Sequence, residues 1–134
     1  SITALYTVLV EGDDMNEPVA DAVRSILDGH IVLSRKLAAE NHYPAVDVLG
    51  SISRVMRDVI PEDVQRAVGT ILADMAVYRE NEDLINIGAY KKGSNPRIDQ
   101  AIDRRPLIQN LLIQQIDEPG AMAETWQQIL EVAS

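Results

Sequence analysis

From Pro61 to its end this chain is patterned for helix, whereas its first third holds only two strand-like runs, and two strands cannot make a sheet with satisfied edges. The first run, residues 2–10, mixes β-branched, aromatic and aliphatic side chains without a helical cap and ends at Glu11-Gly12-Asp13-Asp14. The second is His30-Ile31-Val32-Leu33. Between them, Asn16-Glu17-Pro18 supplies a capping residue and a first-turn proline. Val19, Ala20, Val23, Ile26 and Leu27 follow at helical spacing and stop at Asp28-Gly29. The expectation is a βαβ remnant: one flank of a larger sheet whose other strands lie upstream, in keeping with a first residue, Ser1, that is not Met.

Beyond this flank the pattern predicts a helical bundle. Pro61, Glu62 and Asp63 suit a first turn, and Val64, Ala67, Val68, Ile71, Leu72 and Met75 recur every three or four residues, so a helix is predicted to run to about Tyr78. Leu84, Ile85 and Ile87 form a brief apolar cluster before a turn-rich stretch over residues 91–96. Pro106 is expected to break one helix over 97–104 and start another over 106–115, because an interior proline loses a hydrogen bond and clashes with the preceding turn. Pro119-Gly120 separates a last helix over 121–132, with Met122, Trp126, Ile129 and Leu130 on one side. Ser34 can cap a short helix over 35–40, and residues 41–50 read as extended or irregular around Pro44.

Of the 134 residues, 46% are hydrophobic, which suits one modest core. A formal net charge of −9 disfavours a general nucleic-acid binder, since phosphate neutralisation needs clustered Lys and Arg, and it favours basic partners instead. Without cysteine there are no disulfides, thiolate metal sites or cysteine nucleophiles, a composition compatible with a reducing cytosol. No apolar run approaches membrane-spanning length, and residues 2–10 lack the basic leader of a signal peptide.

A phosphate-binding loop requires G-x-x-x-x-G-K-[ST], whose amides cradle phosphates while its Lys meets the β and γ oxygens. The near miss, Gly88 to Gly93, has Ser94 and Asn95 in place of Lys and Ser/Thr, follows no strand and precedes Pro96, so it reads as a turn. Glu11, Asp13 and Asp14 imitate a magnesium-binding acid at a strand end, but such an acid works beside a phosphate loop, and an acidic turn is the better reading. His30 and His42 are too far apart and too poorly accompanied for a zinc motif, and no metal ligands are assigned. Taken alone, Arg54 would be a surface salt-bridge residue and Tyr43 a packing tyrosine.

Their context changes that weight. Residues 1–14, then Pro18-Val19-Ala20-Asp21, Ile26-Leu27-Asp28-Gly29-His30-Ile31-Val32-Leu33-Ser34-Arg35, His42-Tyr43-Pro44-Ala45 and Leu49-Gly50-Ser51-Ile52-Ser53-Arg54-Val55-Met56 form an ordered series. In order and spacing it resembles the second half of the catalytic domain of the type III secretion and flagellar export ATPases, relatives of the rotary ATP synthase catalytic subunit. The resemblance is dense over residues 1–56 and continues more loosely through Tyr90-Lys91-Lys92-Gly93-Ser94, Ile98-Asp99 and Ala101-Ile102. Met15-Asn16-Glu17-Pro18-Val19-Ala20-Asp21 and Asn41-His42-Tyr43-Pro44 look closer to injectisome members than to flagellar ones.

The resemblance implies a mainly α chain with a small β part: the flank of a RecA-like α/β ATPase domain over residues 1–58, then a helical domain over 59–134. It makes Arg54 an arginine finger acting in trans on the γ-phosphate held by an adjacent subunit, and Tyr43 the ring that stacks on adenine in cis. Rotary relatives complete the adenine pocket with phenylalanines. This chain has no Phe, and Leu111 falls near that place, so a contact there would be aliphatic. The phosphate loop, catalytic glutamate and magnesium-binding aspartate of the family are expected upstream. ATP and Mg are thus cofactors of the full-length protein, none is expected on this chain alone, and the isolated chain should not hydrolyse ATP. Implied partners are neighbouring subunits of a homohexameric ring, central stalk and stator proteins, and chaperone–cargo complexes, with no nucleic acid; the acidic balance suits a basic stalk. The implied location is the bacterial cytoplasm, peripheral to the inner membrane at the export apparatus. Two rivals remain: a stand-alone helical module that binds a chaperone or stalk, and a fragment of a rotary ATP synthase subunit.

Overall fold

The buried apolar side chains among the described residues are all helical: Ala20, Val64, Ala67, Ile71, Ala101 and Ile108. They belong to a computed structural model that describes residues 2–10 and 17–134. Three of them lie on α4 (Glu62–Asn86) and two on α5 (Pro96–Leu112). Each helix starts as its sequence dictates. Glu62 and Asp63 occupy the first turn of α4, where the helix dipole favours acids, and the Asn95 side chain accepts the Arg97 N–H at 3.0 Å to open α5. Gln65 Nε2 donates to the Arg57 and Ile60 carbonyls, both at 2.9 Å, and so ties α4 to the short α3 (Met56–Val59).

A third long helix, α6 (Met122–Ala133), packs on α4 and less extensively on α5. One polar cluster joins all three helices. Asp74 of α4, among the most buried residues, accepts from Arg104 Nη1 of α5 at 2.8 Å, and Arg104 Nη2 donates to the Ala133 carbonyl of α6 at 3.0 Å.

The N-terminal part comprises α1 (Pro18–Ile26), β1 (Gly29–Leu33), α2 (Arg35–Ala39) and β2 (Val46–Ser53). Ser34 caps α2 through a long 3.4 Å bond from the Leu37 N–H. The two strands pair antiparallel, Gly29 opposite Ser53, His30 opposite Ile52, Val32 opposite Asp47 and Leu33 opposite Val46. Between the two paired stretches β1 has the single residue Ile31, whereas β2 has the four residues Val48, Leu49, Gly50 and Ser51. This is a bulge. The two parts of the chain meet through charges: Arg79 Nη2 to Asp47 Oδ1 at 2.7 Å and Lys36 Nζ to Glu82 Oε2 at 3.6 Å. Arg105 bonds to the same Glu82 at 3.6 Å and stacks on Tyr78, 3.8 Å from the ring centroid.

The mainly helical architecture with a small sheet is as expected, but several elements differ. Residues 2–10 join no strand or helix, and Ile2, Leu5 and Leu9 are almost fully exposed. β-propensity describes a half-buried pleated surface, and no described strand lends that segment an edge. The pair that does form is antiparallel rather than parallel βαβ, because residues 46–53, part of which read as irregular, supply its second strand. Helix α4 runs eight residues past Tyr78 and absorbs Leu84 and Ile85. Pro106 neither ends nor starts a helix: α5 passes through it. The interior proline costs up to about 3 kcal/mol, and here it is outweighed by the anchoring of both flanks through buried Ala101 and Ile108 and the Arg104–Asp74 pair. The capping position falls on Glu17, with Pro18 inside the first turn of α1; Asn16 lies outside the described residues.

Candidate functional site

Arg54 directly follows β2 and stands at the open end of the β1–β2 pair. Its backbone N–H donates to the Asp28 carbonyl at 2.8 Å, and its Nη2 donates to the Arg24 carbonyl of α1 at 3.4 Å. Both anchors are neutral oxygens. No carboxylate among the described residues pairs with Arg54, and the side chain is exposed. A guanidinium seated in this way keeps its full charge for an incoming anion.

The strand that carries Arg54 is shaped by its bulge. Asp47 Oδ1 accepts the Gly50 N–H at 3.1 Å; Ser51 Oγ donates to the Asp47 carbonyl at 2.7 Å and accepts the Val32 N–H at 2.9 Å. Burial pushes the Asp47 carboxyl up, but the Arg79 hydrogen bond and charge with the Gly50 and Leu49 amides outweigh it, and the carboxyl titrates below its usual range. At Gly50 the fit is tight: a Cβ there would stand 3.1 Å from Asp47 Oδ2, so the carboxylate would have to give by a few tenths of an ångström. At Gly29 a Cβ would come within 2.6 Å of the Ile52 carbonyl oxygen. The roles of Asp47, Gly50, Ser51 and Arg79 were not legible in the sequence. The available signal was a glycine inside a strand-forming run with an Asp three residues before it, the mark of a bulge closed by an Asx-type bond.

Tyr43 lies beyond the other end of β2, in the connection from α2, with its ring half exposed and a cis peptide bond to Pro44. Its carbonyl accepts the Gln114 N–H at 2.9 Å, just past the end of α5. Gln114 and Leu111 both line a cleft of about 300 Å³ between the end of α5 and α6. Tyr43 and the Leu111 region are thus brought to the same end of the molecule, while the length of β2 separates them from Arg54.

The phosphate-loop near miss is a turn after α4. Gly88 and Gly93 have φ of +70° and +93°, and the Gly93 N–H is taken by the Asp99 carboxylate at 2.9 Å, so an anion already sits where a phosphate would have to bind. Asp99 also accepts from the Tyr90 hydroxyl at 2.9 Å. Glu11, Asp13 and Asp14, the acids that imitate a magnesium ligand, lie outside the described residues. His30 is on β1 and His42 lies between α2 and β2; among the described residues no three His, Cys, Asp or Glu side chains are grouped to hold a metal.

Comparison with known proteins accounts for both parts. Residues 60–131 match the family described as T3SS EscN ATPase C-terminal domain. The chain belongs to the type III secretion and flagellar export ATPase family. Residues 1–53 match the ATP synthase alpha/beta family, nucleotide-binding domain. A flagellum-specific ATP synthase of Treponema pallidum is 52% identical over 125 residues, covering 93% of this chain and 28% of that protein. The assembled ATPase EscN of the enteropathogenic E. coli type III secretion system superposes with a TM-score of 0.94 at 46% identity, covering all of this chain and 32% of EscN. EscN in complex with its central stalk EscO gives a TM-score of 0.81 at 44% identity, over 87% of this chain and 29% of that one. The chain therefore spans about a third or less of these export ATPases. No helix among the described residues is long and apolar enough to cross a membrane.

Proposed function

We propose that this chain is the C-terminal part of a ring-forming ATPase that energises type III protein export, and that Arg54 is its arginine finger. One observation carries the reading: at the end of a paired strand Arg54 is anchored by its backbone N–H to the Asp28 carbonyl, and its exposed guanidinium donates to the neutral Arg24 carbonyl, with no carboxylate partner among the described residues. A finger must present an uncompensated charge from a rigid edge, because it stabilises charge that develops on the phosphoryl group of a neighbouring subunit. Tyr43 contacts adenine in cis and Leu111 adds an aliphatic wall. The bond from Gln114 to Tyr43 supports that pairing.

The residues present fit the two ends of a nucleotide and not its middle, since the chain has no phosphate loop and its near miss is closed by Asp99. ATP with Mg supplies the scissile phosphoanhydride and its charge neutralisation in the full-length protein, and the isolated chain is inactive. The domain boundary falls between residues 58 and 59. Five of the six buried apolar side chains, Val64 to Ile108, lie on the later side and Ala20 on the earlier, which supports it. Self-association into a homohexameric ring and a central stalk partner follow by likeness to the assembled EscN and its EscO complex. Stator and chaperone–cargo contacts, and a cytoplasmic site peripheral to the inner membrane, belong to the same reading.

The test is Arg54→Ala in the full-length protein. Turnover should fall by about 10³-fold while nucleotide binding is retained; unchanged hydrolysis refutes the finger. The isolated chain should give no magnesium-dependent phosphate release above a buffer control.

A further inference from the structure

The strand that carries Arg54 is held in register by a bulge, and the bulge is gripped from the helical part. On β2 the four residues between the paired stretches oppose only Ile31 on β1. If the three excess residues entered the ladder, Ser53 and Arg54 would slide along β1 by about 10 Å, at 3.3 Å per residue, and an odd slip would also turn each side chain to the other face. Two local bonds keep them out: Asp47 Oδ1 holds the Gly50 N–H, and Ser51 Oγ satisfies Val32 N–H in place of a ladder carbonyl.

Arg79 acts on the same atom. Its Nη2 lies 2.7 Å from Asp47 Oδ1, reaching from the C-terminal half of α4 to a carboxylate that is about three-quarters buried and folded tightly over Gly50. With Arg79 in place the carboxylate is charge-compensated where it is and can keep the Gly50 amide. Without it the charge gains by turning to water, which releases that amide.

We propose that Arg79 is a positioning residue for Arg54: by gripping the Asp47 carboxylate it holds the bulge that sets the register of β2, so the seating of the helical part fixes where the finger stands. This rests on the finger reading of Arg54. Because the Arg79 side chain is more than half exposed, the ion pair contributes little to global stability, and its effect is on geometry. A shift of the helical part that draws Arg79 away would withdraw Arg54.

The test uses Arg79→Gln and Asp47→Asn in the full-length ATPase. kcat should fall about tenfold or more with KM within about twofold, since small displacements of a transition-state group cost rate rather than binding. Amide exchange over residues 50–54 should quicken in both variants while the melting temperature holds in Arg79→Gln, and Arg79→Lys should recover part of the rate. In an Arg54→Ala background, Arg79→Gln should add less than about twofold further loss, because coupled residues are not additive. A kcat unchanged in Arg79→Gln, an additive loss in that background, or unaltered exchange over residues 50–54 overturns the inference. If Arg54→Ala leaves turnover intact, the finger reading falls, and the exchange of residues 50–54 alone decides whether Arg79 holds the strand.

Discussion

Replacing Arg104 should destabilise the helical part more than any surface substitution, and the cluster around it sets the size of the effect. Arg104 is 17% exposed and Asp74 11%, with Nη1 to Oδ2 at 2.8 Å, and Arg104 Nη2 satisfies the Ala133 carbonyl at the end of α6. Arg104→Met leaves a carboxylate charged and largely buried, a loss of about 3–5 kcal/mol in enclosed pairs. Residual exposure lowers that figure, and the lost bond to Ala133 adds about 1 kcal/mol, so the expected loss is about 3 kcal/mol. For a chain of this size that is a fall of about 10 °C in melting temperature.

Urea unfolding followed by far-ultraviolet circular dichroism measures the loss. The single tryptophan, Trp126 on α6, reports that helix separately. In Arg104→Met the Trp126 transition should precede the circular dichroism transition, because α6 loses its tie first. Replacing both partners, Asp74→Leu with Arg104→Met, should recover most of the loss, since the penalty comes from the orphaned charge more than from the missing attraction. If the single variant loses less than about 1 kcal/mol, or the double variant is no better than the single, the buried-charge argument is wrong.

Acidification should remove one contribution seated at Asp47. Its carboxyl titrates below the ordinary range, so the stability it confers is complete above the unfolded value near 3.9 and is lost as pH falls through the lower folded value. The stability gap between the wild type and Asp47→Asn should therefore shrink as pH falls below the unfolded carboxylate value in urea titrations, and a pH-independent gap would contradict this. Gly29→Ala should cost about 1–3 kcal/mol, because its Cβ would meet backbone rather than a flexible side-chain end. A melting temperature equal to wild type would show that the strand pair yields without strain.

Much of the helical part was legible because helix is written locally. The 3.6-residue stripe from Val64 to Met75 marks the buried face of α4 whatever else the chain does. The helix continues beyond Tyr78 because its last two turns gain partners from elsewhere in the chain, Glu82 meeting Lys36 and Arg105, and such distant contacts leave no local periodicity. At Pro106 the local penalty is real, but the packing of Ala101 and Ile108 on either side outweighs it, and tertiary packing is not written near the proline. Strands depend still more on distant partners. Residues 2–10 have the better strand composition, yet residues 46–53 form the strand because β1 lies beside them.

The same division runs through the site. What would touch a nucleotide is a side chain, and Arg54 and Tyr43 could be named from their neighbours in sequence. What holds them is mostly backbone: the Asp28 and Arg24 carbonyls under Arg54, and the Gln114 amide against Tyr43. Any residue supplies those groups, so no residue type betrays them. They leave a trace where the approach is close, at Gly29, whose Cβ the Ile52 carbonyl would exclude, and at Gly50, where a Cβ would crowd the Asp47 carboxylate. Both glycines lie on the strand pair that ends at Arg54, and Arg79 reaches across from α4 to one of them through Asp47. The sheet residues that seat Arg54 and the helical residue that grips the sheet therefore make one mechanical unit, and perturbing either end should be read out at Arg54.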